Sequence, residues 1–168
     1  MVSIQNSKDV SIVEIIDATV HDLEAILALQ KLAYQSEAEL LGDYSIPPLT
    51  QTLDDIMADF RRGKILKAVE DGEIIGSVRV YFSDNTLYIG KLIVSPPRQN
   101  QGIGTALLQA AEALYPKARY ELFTSDKSER NLYLYVKNGY TEFKRELLSS
   151  NVDMVFLEKC SQCVPLRP

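Results

Sequence analysis

The sequence predicts an α/β (α+β) fold: a mixed, mostly antiparallel sheet of about seven strands with helices on both faces. Three observations predict it. Three runs rich in β-branched residues, 65–69, 74–82 and 87–94, follow one another across turns too short for a crossover, so they form an antiparallel meander. The segment 87–124 reads as strand, amphipathic helix, strand, which implies a parallel, right-handed crossover. Helical patterns also lie before the meander and after the crossover, which supplies a cover for each face of the sheet.

In order, residues 1–9 are polar and expected to be a flexible tail. Val10 to Ile16 is β-branched and reads as the first strand. Thr19 with Asp22 is a capping-box variant, and Leu23, Ile26, Leu27, Ala33 and Tyr34 have the spacing of a helix that ends before Gly42. Gly42 to Thr52 holds two prolines and several turn formers and is expected to be a loop, a length often tied to function. Thr52 and Asp55 cap a second helix running to about Arg62, stopped by Gly63. Asp71-Gly72 and Asp84-Asn85 turn the meander. Pro96-Pro97 ends its third strand, and Ile103, Leu107, Ala110, Ala111 and Leu114 mark one face of the crossover helix, which Pro116 ends. Tyr120 to Thr124 is a strand, Ser128 to Lys137 a short helix closed by Asn138-Gly139, and Tyr140–Leu147 with Val152–Leu157 a terminal hairpin.

The chain has 168 residues, 46% hydrophobic and 24% charged, the composition of one globular domain over 1–168, with 160–168 as a second tail. With 18 Lys and Arg against 23 Asp and Glu, the formal net charge is −5, which argues against a general nucleic-acid binder. No apolar run approaches the roughly 20 residues that span a bilayer. Met1 to Val10 lacks the apolar core of a secretory signal, so a cytoplasmic setting and no membrane partner are expected. The two cysteines, Cys160 and Cys163, have half of a zinc-site spacing and no second pair, so they are expected to be free thiols, and no metal is expected. His21, the one histidine, is expected to face solvent, which disfavours Ser-His or Cys-His hydrolase chemistry.

The chemistry is concentrated where the third meander strand meets the crossover helix. Gly102 and Gly104 remove side chains where a ligand can approach the backbone, and the first helical turn offers unpaired N–H groups and the positive end of a dipole. Together these suit a diphosphate; the other reading of the glycines is that they only cap the helix and turn the chain. The stretch is not a Walker A loop, because no Lys-Ser or Lys-Thr follows the glycines, and it lacks the third glycine of a dinucleotide fingerprint.

Gln99-x-x-Gly102-x-Gly104, directly after Leu92-x-Val94, resembles the acetyl-coenzyme A signature of the GNAT superfamily of N-acetyltransferases. Leu134-Tyr135-Val136-Lys137-Asn138-Gly139-Tyr140 resembles a second segment of that family, and the order of elements is similar across nearly the whole chain. The resemblance implies acetyl-CoA as co-substrate. It would lie against the backbone of Leu92, Ile93 and Val94, where the strand splays from its parallel neighbour. Its pyrophosphate would rest on N–H groups of Gln99, Asn100, Gln101, Gly102, Ile103, Gly104 and Thr105. Gln99 stands where many members have arginine, and Arg98 is a candidate to restore that charge. Tyr135 matches the tyrosine beside the coenzyme sulfur. Ser128 stands where many members have asparagine, and Asn131, on the face of Tyr135, is assigned a coenzyme contact instead.

The implied reaction moves an acetyl group to a primary amine of a small molecule or peptide. An ammonium with a pKa of about 10.4 is no nucleophile, so a proton must leave it. Glu37, Glu39 and Asp43 with nearby Tyr44, or Tyr88 and Lys91, are candidates, with Glu39 taken as the base; ordered water is an alternative. A strand amide near Ile93 or Val94 would stabilise the oxyanion, and Tyr135 would protonate the sulfur. The other reading of Tyr135 is a core tyrosine sharing an apolar face with Leu132 and Val136. Tyr44, Ile46, Pro47, Pro48 and Leu49 either wall an acceptor pocket or pack beneath a loop. A homodimer is a possible assembly, and a non-catalytic acyl-CoA-binding or sensing module on the same fold is the rival to an enzyme.

Overall fold

The computed structural model describes residues 3–5 and 11–160. Eight strands form one sheet in the order β1-β2-β3-β4-β5-β6-β8-β7. They are β1 (Ser3–Gln5), β2 (Ile12–Asp17), β3 (Lys64–Glu70), β4 (Glu73–Ser83), β5 (Thr86–Val94), β6 (Arg119–Ser125), β7 (Thr141–Ser149) and β8 (Val152–Cys160). Only β5 and β6 pair in parallel, and every other neighbouring pair is antiparallel. The mixed sheet is the predicted one with an added edge. β1 lies inside the expected N-terminal tail, where Ser3 pairs with Glu14 and Gln5 with Ile12. Edge pairing needs only a few backbone hydrogen bonds and no hydrophobic pattern, so composition did not announce it.

The helices are α1 (Leu23–Ala33), α2 (Gln35–Leu41), α3 (Pro47–Thr50), α4 (Leu53–Arg62), α5 (Ile103–Leu114) and α6 (Glu129–Lys137). Side chains alternate along a strand, so neighbouring residues of β3 report opposite faces. Leu66 and Ala68 join the larger core under α5, with Val78, Val80, Leu107 and Leu157. Ile65 joins a smaller core with Leu23, Ile26 and Leu27 of α1 and Ile56 of α4. Helices thus cover both faces, as the patterns required.

Two local departures matter for the site. The first expected helix is broken at Tyr34, whose φ of −82° and ψ of −1° separate α1 from α2. The expected loop 42–52 contains α3, opened by Pro47-Pro48, whose fixed φ suits a first helical turn. At the C-terminal end, Tyr140 leaves the hairpin and is buried in the larger core, its hydroxyl donating to Glu112 Oε1 at 2.9 Å. Cys160, at the end of β8, is disulfide-bonded, which corrects the expectation of free thiols. Cys163, with the rest of 161–168, lies outside the described residues. Among the described residues no helix is long and apolar enough to cross a membrane.

Candidate active site

The site is opened by a failure of pairing. β5 pairs with β6 only from Thr86↔Arg119 to Tyr88↔Glu121, although β5 continues to Val94 and β6 to Ser125. Each strand keeps its other edge, β5 against β4 as far as Gly76↔Val94 and β6 against β8 as far as Ser125↔Met154, so the sheet opens between them. A cavity of about 350 Å³ fills the gap, lined by Leu92, Ile93 and Val94 on one side and by the start of α5 and the inner face of α6 on the other.

At one end the cavity meets bare backbone. Asn100 (φ +61°) and Gly102 (φ +84°) both adopt the left-handed region just before α5. Such turns aim successive N–H groups into a concavity that holds anions. Gly102 is the N-cap of α5 and has no side chain to close the first turn, so the helix N-terminus faces the cavity uncapped. A Cβ on Gly104 would stand 3.4 Å from Leu134 Cδ2 and 3.9 Å from Val94 Cγ2, inside the narrow passage between β5 and α6. Two cations, Arg130 and Lys137, line the same cavity from α6. Arg130 donates to Gln99 Oε1, and Gln99 Nε2 in turn donates to Val94 O at 3.2 Å.

At the other end the cavity meets side chains from α1 and α2. Tyr34 and Glu37 line it. Ser125 Oγ, at the end of β6, donates to Glu37 Oε1 at 2.8 Å. Burial, then the neighbouring Glu37 carboxylate, pushes the Tyr34 phenol up to about 12, against an opposing pull from Arg79. Tyr135 is only 6% exposed. Burial raises its phenol further, with smaller contributions from neighbouring Tyr34 and Glu37. Both phenols therefore stay protonated at neutral pH, beside a carboxylate that is held in place.

A model described as the Acetyltransferase (GNAT) family matches residues 24–140. The chain belongs to the GNAT acetyltransferase family. PaiA N-acetyltransferase from Thermoplasma acidophilum, solved in complex with coenzyme A, superposes with a TM-score of 0.73 at 20% identity, over 88% of this chain and 98% of that one. YncA from Salmonella typhimurium, solved with acetyl-CoA, gives 0.68 at 18% identity over 88% and 93%. A curated relative, UPF0157 protein YqkA of Bacillus subtilis (strain 168), is 29% identical over 159 residues. The match takes in 82% of this chain, which spans only 44% of that relative's length.

In this GNAT chain the residues expected at the coenzyme are largely brought together. Leu92, Ile93, Val94, Gln99, Asn100, Gly102, Ile103, Gly104, Thr105 and Asn131 line the cavity, while Gln101 is exposed outside it. Asn131 Nδ2 donates to Thr124 Oγ1 at 3.3 Å, and Ser128 is buried at the start of α6. Arg98 also lines the cavity, but it does not bring a free charge. It pairs with the buried Glu70, which also accepts from Ser11 Oγ at 2.7 Å. The unshared charges come from Arg130 and Lys137 on α6, which the motif reading passed over because the signature ends at α5.

On the acceptor side the structure separates the candidates. Glu37 lines the cavity, whereas Glu39, Asp43 and Tyr44 are exposed away from it. Asp43 is occupied with Ser45, whose N and Oγ donate to it at 2.8 and 2.6 Å. Tyr88 stacks on Tyr81 at 6.0 Å. Ile46 and Pro48 are buried, Pro47 lines a second cavity, and Tyr44 projects to solvent. Tyr135 lies behind the cavity wall, in the larger core, with Leu132 packed against that core and its ring 6.1 Å from Tyr140. Val136 is 61% exposed and shares no apolar face with it. Tyr34 was missed as a site residue because its spacing fits a helix core, and only the break after α1 turns it toward Glu37.

Proposed function

We propose that the protein is an acetyl-CoA-dependent N-acetyltransferase that acylates a primary amine. The observation that carries this reading is the gap between β5 and β6, bounded at one end by uncapped backbone amides and at the other by Glu37. The donor supplies an activated acyl group as a thioester. Its diphosphate suits the N–H groups of 99–105 together with Arg130 and Lys137, because backbone donors and flexible cations both favour phosphate oxygens. Gly104 and the flanking Leu134 and Val94 leave a slot for an extended, narrow arm.

Glu37, rather than Glu39, is the base in this reading. It lines the cavity, and Ser125 holds one of its oxygens, which leaves Oε2 to take the proton from the acceptor ammonium. A strand amide near Ile93 or Val94 stabilises the oxyanion. Tyr135 Oη, kept protonated by burial and accepting or donating no hydrogen bond among the described residues, donates to the departing sulfur, with Tyr34 on the wall beside it. A cytoplasmic setting, a free amine as partner and a possible homodimer complete the proposal.

The test is calorimetry of the purified chain with coenzyme A and acetyl-CoA, followed by thiol release across a panel of amines. Heat with both ligands and amine-dependent release are expected. Absence of heat overturns the reading. Tight acetyl-CoA binding with no release for any amine replaces it with a sensing module.

A further inference from the structure

Glu70 stands where the fold asks for an apolar residue. Leu66 and Ala68 of β3 enter the larger core, and the same alternation places Glu70, 6% exposed, next in line. A carboxylate is carried into such a place only with its partners. Here both oxygens are taken. Oε1 accepts from Ser11 Oγ at 2.7 Å and from Arg98 Nη2 at 2.5 Å, and Oε2 pairs with Arg98 Nη1. The two-pronged contact fixes the plane of the guanidinium as well as its distance. Arg98 Nε is buried without a partner among the described residues, so the fork is kept although one donor goes unpaired.

Stability alone is a poor account of such a pair. Buried ion pairs can often be exchanged for apolar side chains of similar volume without loss, but apolar side chains lack the directional hold. The place of Arg98 in the chain gives a better account. It ends the turn Pro96–Arg98 and immediately precedes Gln99, where the diphosphate-suited segment begins. Asn100 at φ +61° and Gly102 at φ +84° follow, and the first is a conformation that residues with side chains rarely take. Backbone of that kind keeps its shape where its surroundings hold it. One end of the segment is α5. At the other, Ser95 N donates to Ile75 O at 2.8 Å and Gln99 Nε2 to Val94 O at 3.2 Å, while the Arg98 fork reaches two strands further, to β3. Arg98 lines the cavity, but Glu70 neutralises its charge, which leaves it a mechanical part.

We propose that Glu70 is a positioning residue for coenzyme binding. Through Arg98 it holds the segment 99–102 in the shape that aims its N–H groups at the diphosphate, and Ser11 steadies the carboxylate. This rests on the acyl-transfer reading and deepens it, by giving a role to a side chain outside the cavity lining.

The test compares wild type with Glu70→Gln and with a double variant, Glu70→Leu together with Arg98→Leu. Coenzyme A affinity is measured by calorimetry and stability by urea unfolding. Thiol release is followed with acetyl-CoA and with S-acetylpantetheine, a thioester that has no diphosphate. Glu70→Gln breaks the fork and frees the Arg98 cation beside the diphosphate. A charge role for Arg98 would then tighten coenzyme A, whereas the positioning role weakens it by about tenfold, the worth of one charge-assisted hydrogen bond. The acetyl-CoA KM should rise with kcat unchanged, and kcat/KM for S-acetylpantetheine should match wild type. The double variant should unfold at the urea concentration of wild type or above and still bind coenzyme A weakly. Tighter or unchanged coenzyme A binding in Glu70→Gln overturns the proposal. So does an equal loss for the two thioesters, which marks a general structural defect, and so does a double variant that fails to fold. Wild type that gives no heat with coenzyme A removes the acyl-transfer reading and this role together; wild-type binding that the variants share removes this role alone.

Discussion

Ser125 donates its hydroxyl to Glu37 Oε1 at 2.8 Å, across 88 positions of sequence. The bond ties the last residue of β6 to α2, at the end of the cavity that Glu37 lines. It holds the carboxylate in one orientation and leaves its second oxygen available. Ser125 is a positioning residue for Glu37, and its removal should act through kcat rather than through coenzyme affinity. In Ser125→Ala, kcat should fall by up to about tenfold, the worth of one hydrogen bond, with Ser125→Thr restoring most of it. Thiol-release kinetics at saturating acetyl-CoA checks this; a change in acetyl-CoA KM alone would contradict it.

Glu37→Gln should lower kcat by about a hundredfold or more, the usual contribution of a general base. Glu39→Gln, on the exposed side of the same helix, should leave kcat intact.

Gly104→Val places methyl groups in the passage between Val94 and Leu134, where a Cβ alone already meets Leu134 Cδ2 at 3.4 Å. Coenzyme A affinity by calorimetry should weaken by about tenfold or more, or roughly 1.4 kcal/mol. Gly72→Ala is the contrast. Gly72 has φ +82° in an open turn, so that change should cost about 1 kcal/mol of stability and leave coenzyme affinity alone.

Tyr135→Phe keeps the ring against Tyr140 and removes only the hydroxyl. It should fold with near-native stability and turn over more slowly at saturating substrates. Unchanged turnover would remove the proton-donor role. Tyr135→Ala empties part of the larger core and should cost about 3 kcal/mol or more in denaturant unfolding, whatever the chemistry.

Glu70 makes stability depend on pH. The Ser11 hydroxyl, and then Arg98, hold its carboxyl below the ordinary value of 4.5 in the folded chain, against the opposing effect of burial. A depressed folded pKa contributes stability that is present above the unfolded value and is lost as pH falls through the folded one. Wild-type stability should therefore decline below pH 4.5 more steeply than that of Glu70→Gln, measured by urea unfolding across that range. Parallel curves for the two proteins would show that the Arg98–Glu70 pair carries no such linkage.

Much of this architecture is written in local pattern. The meander of β3, β4 and β5, the α5 crossover and the terminal hairpin follow from alternation, turn residues and caps, because each depends on neighbours in sequence. The anion end of the site was legible for the same reason: Asn100, Gly102 and Gly104 belong to one short turn, and its backbone shape follows from those residues. The pairing of β1 with β2 and the helical turn within 42–52 left no comparable pattern.

The acceptor end was not legible. Glu37 and Glu39 are two residues apart, about 200° around a helix, and which one meets the cavity depends on how α2 departs from the break at Tyr34. Glu37 also needs Ser125. Residue types alone set the strands, the helices and the phosphate-suited turn, since these are local energies. The tertiary structure alone decided which carboxylate and which phenol share a cavity, because burial and charge arise between segments that are far apart along the chain.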